Sequence, residues 1–460
     1  MAFVIGGERS GTGKTTVTLA LLAALKQRSN RVQSFKVGPD YIDPMFHHYV
    51  TGLPCRNLDP VLTNESYVQQ CFNTHSSFAE YSLIEGVMGL FDGAGGTSDY
   101  ASTAHIARLL DLPVVLVLDC SRLSRSVAAI AHGYKTFDPR INIAGVVLNR
   151  VGSDRHLELL SSALEPLHLP ILGVLRRQDD ITIPDRHLGL IPSGELDNLN
   201  TVIDQLAHLA KTSFDWERLL PLLENKCVDA IPTEKVKSKI RIALARDSAF
   251  NFYYRDNLDI LENLGAELVE WSPLKETLPE NIQGLYFGGG FPEIFAEELA
   301  SNHQALLAVR EAIQAGMPTY AECGGLMYLC EQIIDFSEKS YPMVGIIPST
   351  ATMGKRLTLG YRQATAMQDS PMMESNSQVW GHEFHRSSLV TESEQPLFHM
   401  QGYDSKQAIK SEGWQIHQAH ASYLHVHFGG NLEIPTRFSQ HCKNYRRIGI
   451  LPVRSKNIKP

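Results

Sequence analysis

In the first half of the chain, short apolar runs alternate with amphipathic stretches, and this alternation restricts the fold more than any other feature. The pattern predicts helices at 15–27 and 101–110, and it predicts buried strands at 2–5, 32–37, 81–84, 114–118, 143–148 and 171–174. Strands that alternate with helices form mainly parallel sheets with helices on both faces. Several polar motifs follow these strands directly, so we expect them at the carboxyl edge of the sheet, where ligands bind.

A polar, charged stretch at 226–238, "KCVDAIPTEKVKS", interrupts the alternation and predicts a linker. Apolar runs resume beyond it and predict strands at 240–245, 266–271, 284–287, 318–321 and 345–347. A chain of 460 residues is long enough for two such domains. We therefore expect an α/β protein with domains at 1–225 and 239–455.

Composition excludes several classes of function. The formal net charge of -8 argues against nucleic acid or an anionic membrane as the main partner. The sequence shows neither an apolar run of membrane-spanning length nor a secretory signal peptide. Its 7 cysteines are scattered without a CxxC pair, which predicts a reducing, cytoplasmic setting without a disulfide framework or a structural zinc site.

The stretch "VIGGERSGTGKTT" predicts a phosphate-binding loop. It departs from the Walker A pattern because Glu8 stands where the first glycine belongs, whereas Gly13, Lys14 and Thr15 fit the pattern. Backbone N–H groups of such a loop surround phosphate oxygens, Lys14 would reach the β- and γ-phosphates, and Thr15 would hold Mg²⁺. An ordinary glycine-rich turn is the alternative, but the flanking strand and helix favour a nucleotide site made by Gly11, Thr12, Gly13, Lys14, Thr15 and Thr16.

Acidic residues follow the second and third predicted strands, in "FKVGPDYIDP" and "EGVMGLFDG". Carboxylates beside an ATP site hold Mg²⁺ for phosphoryl transfer, so we expect a metal site made by Thr15, Asp40, Asp43, Glu85 and Asp92. Lys36 would pair with the transferred phosphoryl group, and Asn149 would contact the adenine edge. Solvated loop acids without a ligand are the alternative.

In "PTYAECGGLMYL", Cys323 lies between a predicted strand and a helix, as a nucleophile does at a sharp turn. The helix amino terminus is expected to lower its thiol pKa. Gly289 and Gly290 of "LYFGGGFPE" would donate N–H groups to an oxyanion. The base is His425 or His427 of "ASYLHVHFGG", which strand alternation places on one face.

The sequence resembles the cobyrinic acid a,c-diamide synthase family in four stretches: "SGTGKTT", "FKVGPDYIDP", "EGVMGLFDG" and "IPDRHLGL". The N-terminal domain of that family is similar to dethiobiotin synthetase and commonly has an altered Walker A loop, which would account for Glu8. The stretches around Cys323, Gly289 and His425 resemble a class I glutamine amidotransferase domain, and the resemblance extends over roughly 2–455. It implies two doubly wound α/β domains: a P-loop NTPase-like parallel sheet followed by a class I glutaminase-like domain.

Alignment with the related "YLHG" stretch of cobyric acid synthases favours His425 as the base. Ordinary class I glutaminases follow this histidine with Pro-Glu, whereas Val426 and His427 follow it here, so the orienting carboxylate is missing from its usual place. The stretch "GHEFHRS" is a further family match whose roles stay unassigned. The candidate contacts to a corrinoid are Arg186, His187, Tyr41 and Arg362. For the two arginines, the alternative is a structural pair with a carboxylate.

The resemblance implies an enzyme that amidates the a and c acetate carboxylates of cobyrinic acid through acyl phosphates in cobalamin biosynthesis. Its small-molecule substrates would be cobyrinic acid, glutamine and ATP, with Mg²⁺ as cofactor, and a homodimer is one alternative for the assembly. Other readings are the same chemistry on hydrogenobyrinic acid or nickel-sirohydrochlorin, a P-loop scaffold ATPase with an inactive amidotransferase module, and a ligase that uses free ammonia.

Overall fold

The computed structural model describes residues 2–177, 196–223, 240–404 and 408–448, and the chain divides into two compact units, Met1–Pro232 and Thr233–Pro460. The expected linker at 226–238 and the candidate contacts Arg186 and His187 lie outside the described residues. Within the described ranges, the chain has no helix that is both long and apolar enough to cross a bilayer.

The first unit contains a parallel sheet of seven strands, in the order β3-β2-β4-β1-β5-β6-β7. The strands are β1 (Ala2–Gly7), β2 (Val32–Val37), β3 (Arg56–Leu58), β4 (Tyr81–Glu85), β5 (Val114–Asp119), β6 (Ile143–Val151) and β7 (Ile171–Arg176). The helices are α1 (Lys14–Lys26), α2 (Ile42–Thr51), α3 (Glu65–Ser77), α4 (Thr103–Leu109), α5 (Ser126–Phe137), α6 (Asp154–Leu164), α7 (Leu196–Ser213) and α8 (Trp216–Leu223). The six predicted strands are therefore confirmed, and β3 is an addition.

Both faces of this sheet are buried, which is why its strands read as continuous apolar runs. On β5, Leu116 and Leu118 belong to the core on one face, together with residues of α3 to α6. Val115 and Val117 belong to the core on the other face, together with residues of α1, α7 and α8. The sheet is thus the middle layer of three, and its carboxyl edge carries the polar loops.

The second unit contains two sheets. Its strands are β8 (Ile240–Ala245), β9 (Ala266–Trp271), β10 (Gly284–Phe287), β11 (Thr319–Glu322), β12 (Cys330–Ile334), β13 (Ser340–Pro342), β14 (Ile347–Ala366), β15 (Gln378–Leu389), β16 (Phe398–Gly402), β17 (Lys410–Glu412), β18 (Trp414–Ile416), β19 (Ala419–Ser422) and β20 (His425–Val426). Its helices are α9 (Arg255–Asn263), α10 (Ala296–Ser301), α11 (His303–Gln314), α12 (Gly324–Leu329) and α13 (Glu433–Ile448). The first sheet has the order β18-β19-β11-β10-β8-β9 and is parallel except at β18.

The second sheet of this unit is mainly antiparallel, with the path β13-β12-β14-β15-β20 and β16 and β17 joined at its side. The sequence pattern did not predict it, and the strand predicted at 345–347 is wrong except for its last residue, where β14 begins. Gly345 has a φ of 73°, and its N–H donates to Cys330 O over 2.8 Å, so the chain turns there before the strand starts.

Candidate active site

The loop between β1 and α1 has the conformation of a phosphate cradle. Gly11 and Gly13 have φ values of 77° and 95°, in the left-handed region that favours glycine. Gly13 is the N-cap of α1, and having no side chain it leaves the helix amino terminus accessible to an anion. Asn149 Nδ2 donates to Thr12 O over 2.7 Å, which fixes the loop against the end of β6.

A cavity of about 350 Å³ opens beside this loop. Its lining includes the predicted residues Gly11, Gly13, Lys14, Thr15, Lys36, Asp40, Asp43 and Glu85. Of the other predicted residues, all within the described part of the chain, Thr12, Thr16, Asp92 and Asn149 stand outside the lining. Asp92 instead accepts from Gly89 N over 2.9 Å, so its carboxylate shapes the loop after β4.

Glu85 lies at the centre of the polar contacts around this cavity. Its Oε1 accepts from the Thr15 hydroxyl over 2.6 Å, and its Oε2 lies 2.7 Å from His47 Nε2. Burial alone would raise the pKa of Glu85, but the hydrogen bond and charge of His47, the charge of Lys36 and the Thr15 hydrogen bond together lower it to about 2. Glu85 is therefore an ionised carboxylate with both oxygens oriented.

Two lysines and two further acids complete the charge distribution. Lys36 is buried, with its Nζ 3.7 Å from both Asp40 and Asp43 carboxylates, which raise its pKa against the effect of burial. Burial, followed by the neighbouring charge of Lys36, lowers the pKa of Lys14 to about 8. Burial together with the nearby Glu85 and Asp40 carboxylates raises the pKa of Asp43 well above its ordinary value. Crowded carboxylates of this kind are stabilised when a cation joins them.

Two residues that were not predicted from the sequence, His47 and Arg150, help form this site. His47 lies four residues after Asp43 on α2, so the two share a helix face, and this spacing was the available signal. Arg150 lines the cavity, and its Nη1 donates to Gly11 O over 3.1 Å and to Asp119 Oδ2 over 2.6 Å. Nothing in the local pattern around Arg150 indicated this contact, because the loop that it holds is 139 positions away.

In the second unit, Cys323 occupies a sharp turn between β11 and α12. Its φ of 47° and ψ of -97° are strained for a residue with a side chain, and its N–H donates to Ser422 O over 2.8 Å. The thiol is buried and lies 3.8 Å from Phe384 O. Burial, followed by the Glu293 carboxylate, raises its pKa far above the ordinary value, which contradicts the expectation of a lowered pKa. The physical reason is burial, which disfavours the charged thiolate more than the hydrogen bond from Gly324 N–H stabilises it.

The glycine turn after β10 packs between His425 and the start of α12. A Cβ on Gly289 would lie 2.5 Å from His425 Cε1, and a Cβ on Gly324 would lie 3.1 Å from Gly290 N. The N–H of Gly324 also points to the Cys323 sulfur and partly offsets the rise in the thiol pKa. Gly324 is thus a further N–H donor at this site, which the position directly after a turn nucleophile could have indicated.

His425 and His427 have different surroundings. His427 follows the end of β20, and its Nδ1 accepts from Gly429 N over 3.1 Å while its Nε2 lies 3.4 Å from Asp256 Oδ2. His425 instead lies against the glycine turn, with its Nδ1 3.8 Å from Glu322 Oε2. The prediction that both histidines share one strand face is wrong, because the strand ends at Val426.

The "GHEFHRS" stretch forms the middle of β15. The His382 ring lies 5.2 Å from the His425 ring at an interplanar angle of 37°, and burial, followed by the neighbouring His425, lowers the pKa of His382 well below the ordinary value. The Glu383 carboxylate contacts Arg362 at 2.7 Å, His385 at 3.3 Å and Lys410 at 3.5 Å. Arg362 is therefore paired with a buried carboxylate, and Tyr41 is buried in the first unit.

Comparison with known proteins gives one consistent result. A model of the CobQ/CobB/MinD/ParA nucleotide binding domain matches residues 3–191, and a model of the CobB/CobQ-like glutamine amidotransferase domain matches residues 241–432. A cobyrinate a,c-diamide synthase of a Synechococcus species is 62% identical over 96% of this chain and 98% of its own length. The proteins of the same name from a Synechocystis species and from Gloeobacter violaceus are 52% and 48% identical over 97% and 96% of this chain, and over 94% and 97% of their own lengths.

Proposed function

Because the chain belongs to the cobyrinate a,c-diamide synthase family, we propose that it amidates the a and c acetate carboxylates of cobyrinic acid, with ATP as activating nucleotide and glutamine as nitrogen donor. The enzyme is a carbon–nitrogen ligase of the glutamine amidotransferase type. One observation carries the proposal for this chain: it holds both a phosphate loop with a charged cavity and a strained, buried cysteine at the start of α12, with a glycine turn packed between that helix start and a histidine.

The first unit would activate the carboxylate, which by itself is a poor electrophile. A substrate carboxylate oxygen attacks the γ-phosphorus, the bond to ADP breaks, and an acyl phosphate forms. Ammonia then attacks the acyl carbon and displaces phosphate, which leaves an amide. Lys14 and Lys36 line the cavity and would neutralise the phosphoryl oxygens as charge moves to ADP.

The donor set around this cavity fits Mg²⁺, which prefers oxygen ligands. The Thr15 hydroxyl and the carboxylates of Asp40, Asp43 and Glu85 line the cavity. Burial, followed by the neighbouring Glu85 and Asp40 carboxylates, raises the pKa of Asp43, and a bound cation would oppose this rise. These residues would hold the ion, while Asp92 would act by shaping the loop. When bound, Mg²⁺ would neutralise charge on the phosphates of ATP.

The second unit would release ammonia from glutamine. His425 takes the proton from the Cys323 thiol, whose raised pKa makes such a base necessary, and the sulfur attacks the amide carbon. N–H groups of Gly289, Gly290 and Gly324 would stabilise the oxyanion. His425 returns the proton to the departing ammonia, and water then hydrolyses the γ-glutamyl thioester. The contacts of His427 with Asp256 and Gly429 support His425 as the base.

The test measures ATP-dependent amide formation on cobyrinic acid by mass spectrometry, with glutamine or ammonium as nitrogen source. We expect two carboxyl-to-amide conversions with either source. Cys323→Ser should lose the conversion with glutamine and keep it with ammonium. Cys330→Ser is the matched control, because Cys330 is another buried thiol of the same unit whose sulfur contacts Leu326 O at 3.3 Å, a contact that serine can keep.

Two outcomes would contradict the proposal. No amide on cobyrinic acid under any condition would reject this substrate, and hydrogenobyrinic acid and nickel-sirohydrochlorin would be assayed next. Glutamine-dependent amidation by Cys323→Ser would reject the glutaminase assignment. A reducing compartment is supported by the buried cysteines that are not joined in disulfides, and we propose the cytoplasm; these are Cys55, Cys71, Cys120, Cys323, Cys330 and Cys442.

A further inference from the structure

The proposed glutaminase site needs a carboxylate beside its histidine, and Glu322 lies where one is needed. A cysteine–histidine pair works as a catalytic unit when a third group orients the imidazole. In this chain Val426 and His427 follow the histidine where Pro-Glu was expected. Glu322 is the last residue of β11 and directly precedes the nucleophile, and its Oε2 lies 3.8 Å from His425 Nδ1.

The position of the Glu322 side chain is fixed by its other contacts. The carboxylate is 1% exposed, and its Oε1 accepts from Val426 N over 3.1 Å and from the Tyr320 hydroxyl. Val426 is the neighbour of His425 on β20, so one oxygen holds the strand and the other faces the imidazole. A carboxylate tied in this way loses little further freedom when it orients a histidine.

The neighbouring acids are engaged elsewhere. Asp256 contacts His427, Glu383 contacts Arg362 and Lys410, and Glu412 accepts from Ser422 Oγ and Tyr423 N. The Glu293 carboxylate raises the pKa of the Cys323 thiol. Within the described part of the chain, the Glu322 carboxylate forms an ion pair with His425.

The other side of the imidazole faces the site. A Cβ on Gly289 would lie 2.5 Å from His425 Cε1 and 3.4 Å from Nε2, so Nε2 is directed towards the glycine turn. An imidazole whose Nδ1–H faces a carboxylate presents Nε2 as the proton acceptor. The neutral tautomer that accepts a proton at Nε2 is therefore the one that this arrangement favours.

We propose that Glu322 is the positioning carboxylate of the glutaminase site, holding His425 with its Nδ1–H towards β11 and its Nε2 towards the glycine turn. This inference rests on the proposed function, because it assigns a role within the glutamine-hydrolysing half-reaction. It replaces the carboxylate two residues after the histidine with one from a different strand, adjacent to the nucleophile in sequence.

The test compares glutamine hydrolysis by Glu322→Gln, Glu322→Asp and Tyr320→Phe. Glutamine at 322 keeps the shape and an acceptor for Val426 N, but it removes the charge that faces Nδ1. We expect kcat to fall by about 10³-fold with KM for glutamine changed less than about threefold, as for loss of an orienting carboxylate. Tyr320→Phe is the matched control, because it removes another partner of the same carboxylate. We expect its kcat to fall by less than about tenfold.

Two further readouts distinguish a positioning role of Glu322 from a purely structural role. In a His425→Ala background, adding Glu322→Gln should lower kcat for glutamine hydrolysis by less than about a further threefold, because the effects of residues that act as a unit are not additive. Glu322→Asp keeps the charge, so its kcat should be at least about tenfold higher than that of Glu322→Gln. Ammonium-dependent amidation and the thermal midpoint report whether each variant is folded.

Three results would overturn the inference: kcat of Glu322→Gln within about threefold of the unsubstituted enzyme, equal losses in both histidine backgrounds, or an aspartate variant no better than the glutamine variant. If Glu322→Gln does not fold, the kcat and KM of Glu322→Asp against those of Tyr320→Phe decide the question. Absence of glutamine hydrolysis in the unsubstituted enzyme would instead reject the proposed function, so the two failures are distinguishable.

Discussion

Cys323 has a strained backbone and a buried thiol at the same time. The positive φ places its side chain at the end of β11 and beside the glycine turn, which an unstrained strand ending would not do. Burial keeps the thiol protonated, because it raises the pKa of Cys323 far above its ordinary value. The site therefore depends on proton removal by a base at the moment of reaction, and hence on the position of His425.

Gly289→Ala tests this dependence. The new Cβ would lie 2.5 Å from His425 Cε1, so either the turn or the imidazole must move. We expect glutamine-dependent amidation to fall by about 10²-fold or more and ammonium-dependent amidation to stay unchanged. Steady-state rates with each nitrogen source measure this. Gly133→Ala is the control, since a Cβ there meets open space, and an unchanged glutamine-dependent rate in Gly289→Ala would contradict the assignment.

The buried carboxyl group of Glu412 should make the free energy of unfolding depend on pH. Burial raises its pKa to about 7 from 4.5, so between these values the folded state binds more protons than the unfolded state. The free energy of unfolding therefore falls as pH rises from 4.5 towards 7, with a total cost of about 3 kcal/mol above pH 7.

Glu412→Gln should remove this cost. We expect the variant to be more stable than the unsubstituted protein by up to about 3 kcal/mol at pH 8 and to show no gain at about pH 4. Urea unfolding of the second unit's transition at both pH values measures the difference. Glu392→Gln, which removes an exposed carboxylate, is the control, and a gain at low pH or none at high pH would refute the prediction.

At the level of elements, the parallel sheets could be predicted because burial on both faces makes their strands continuous apolar runs. Strands β2, β8, β9 and β10 begin and end where the pattern predicted. The antiparallel sheet could not be predicted in this way, since many positions of the 20-residue β14 are half-buried or exposed. Its residues alternate only weakly between apolar and polar, so the period-2 signal is missing.

The candidate sites show the same division between local and non-local signals. Lys14, Thr15 and Cys323 were predictable because a strand, a turn and a helix surround each of them within the local sequence. Glu322 was not predicted, although it directly precedes Cys323, because its partner His425 lies 103 positions further along the chain. Such a contact depends on which strands become neighbours, and no local pattern encodes that.

Asn149 connects the end of β6 with the phosphate loop, and its role can be tested at this level. Its Nδ2 donates to Thr12 O of the loop and its Oδ1 accepts from Arg150 N of the same strand, so both amide atoms already have partners within the protein. We expect Asn149→Ala to weaken ATP and GTP binding equally, each by about tenfold, as for loss of one buried hydrogen bond. Calorimetric titration with both nucleotides measures this.

Asn142→Ala at the other, exposed end of the same segment is the control for Asn149→Ala. A role in reading adenine would give a different result: ATP binding would weaken while GTP binding stayed the same. That outcome would return Asn149 to the base contact that its place after a strand first indicated.

Across the whole molecule, the two proposed half-reactions belong to units with separate cores. The phosphate loop and its carboxylates are supported by the sheet of the first unit, and Cys323 and His425 by the two sheets of the second. A change in one site should therefore remove one half-reaction and leave the chemistry of the other intact.

Glu85→Gln makes this separation measurable. The variant keeps an acceptor for the Thr15 hydroxyl, but it removes the negative charge that His47 and Lys36 face. We expect amidation to fall by about 10²-fold or more with both glutamine and ammonium, because the carboxylate is no longer activated. Glutamine hydrolysis measured without cobyrinic acid should stay within about threefold, opposite to the pattern of Cys323→Ser. Glu80→Gln, which alters a half-exposed ion pair with Arg31 and a hydrogen bond with Ser29, is the control, and loss of amidation with glutamine alone would refute the separation.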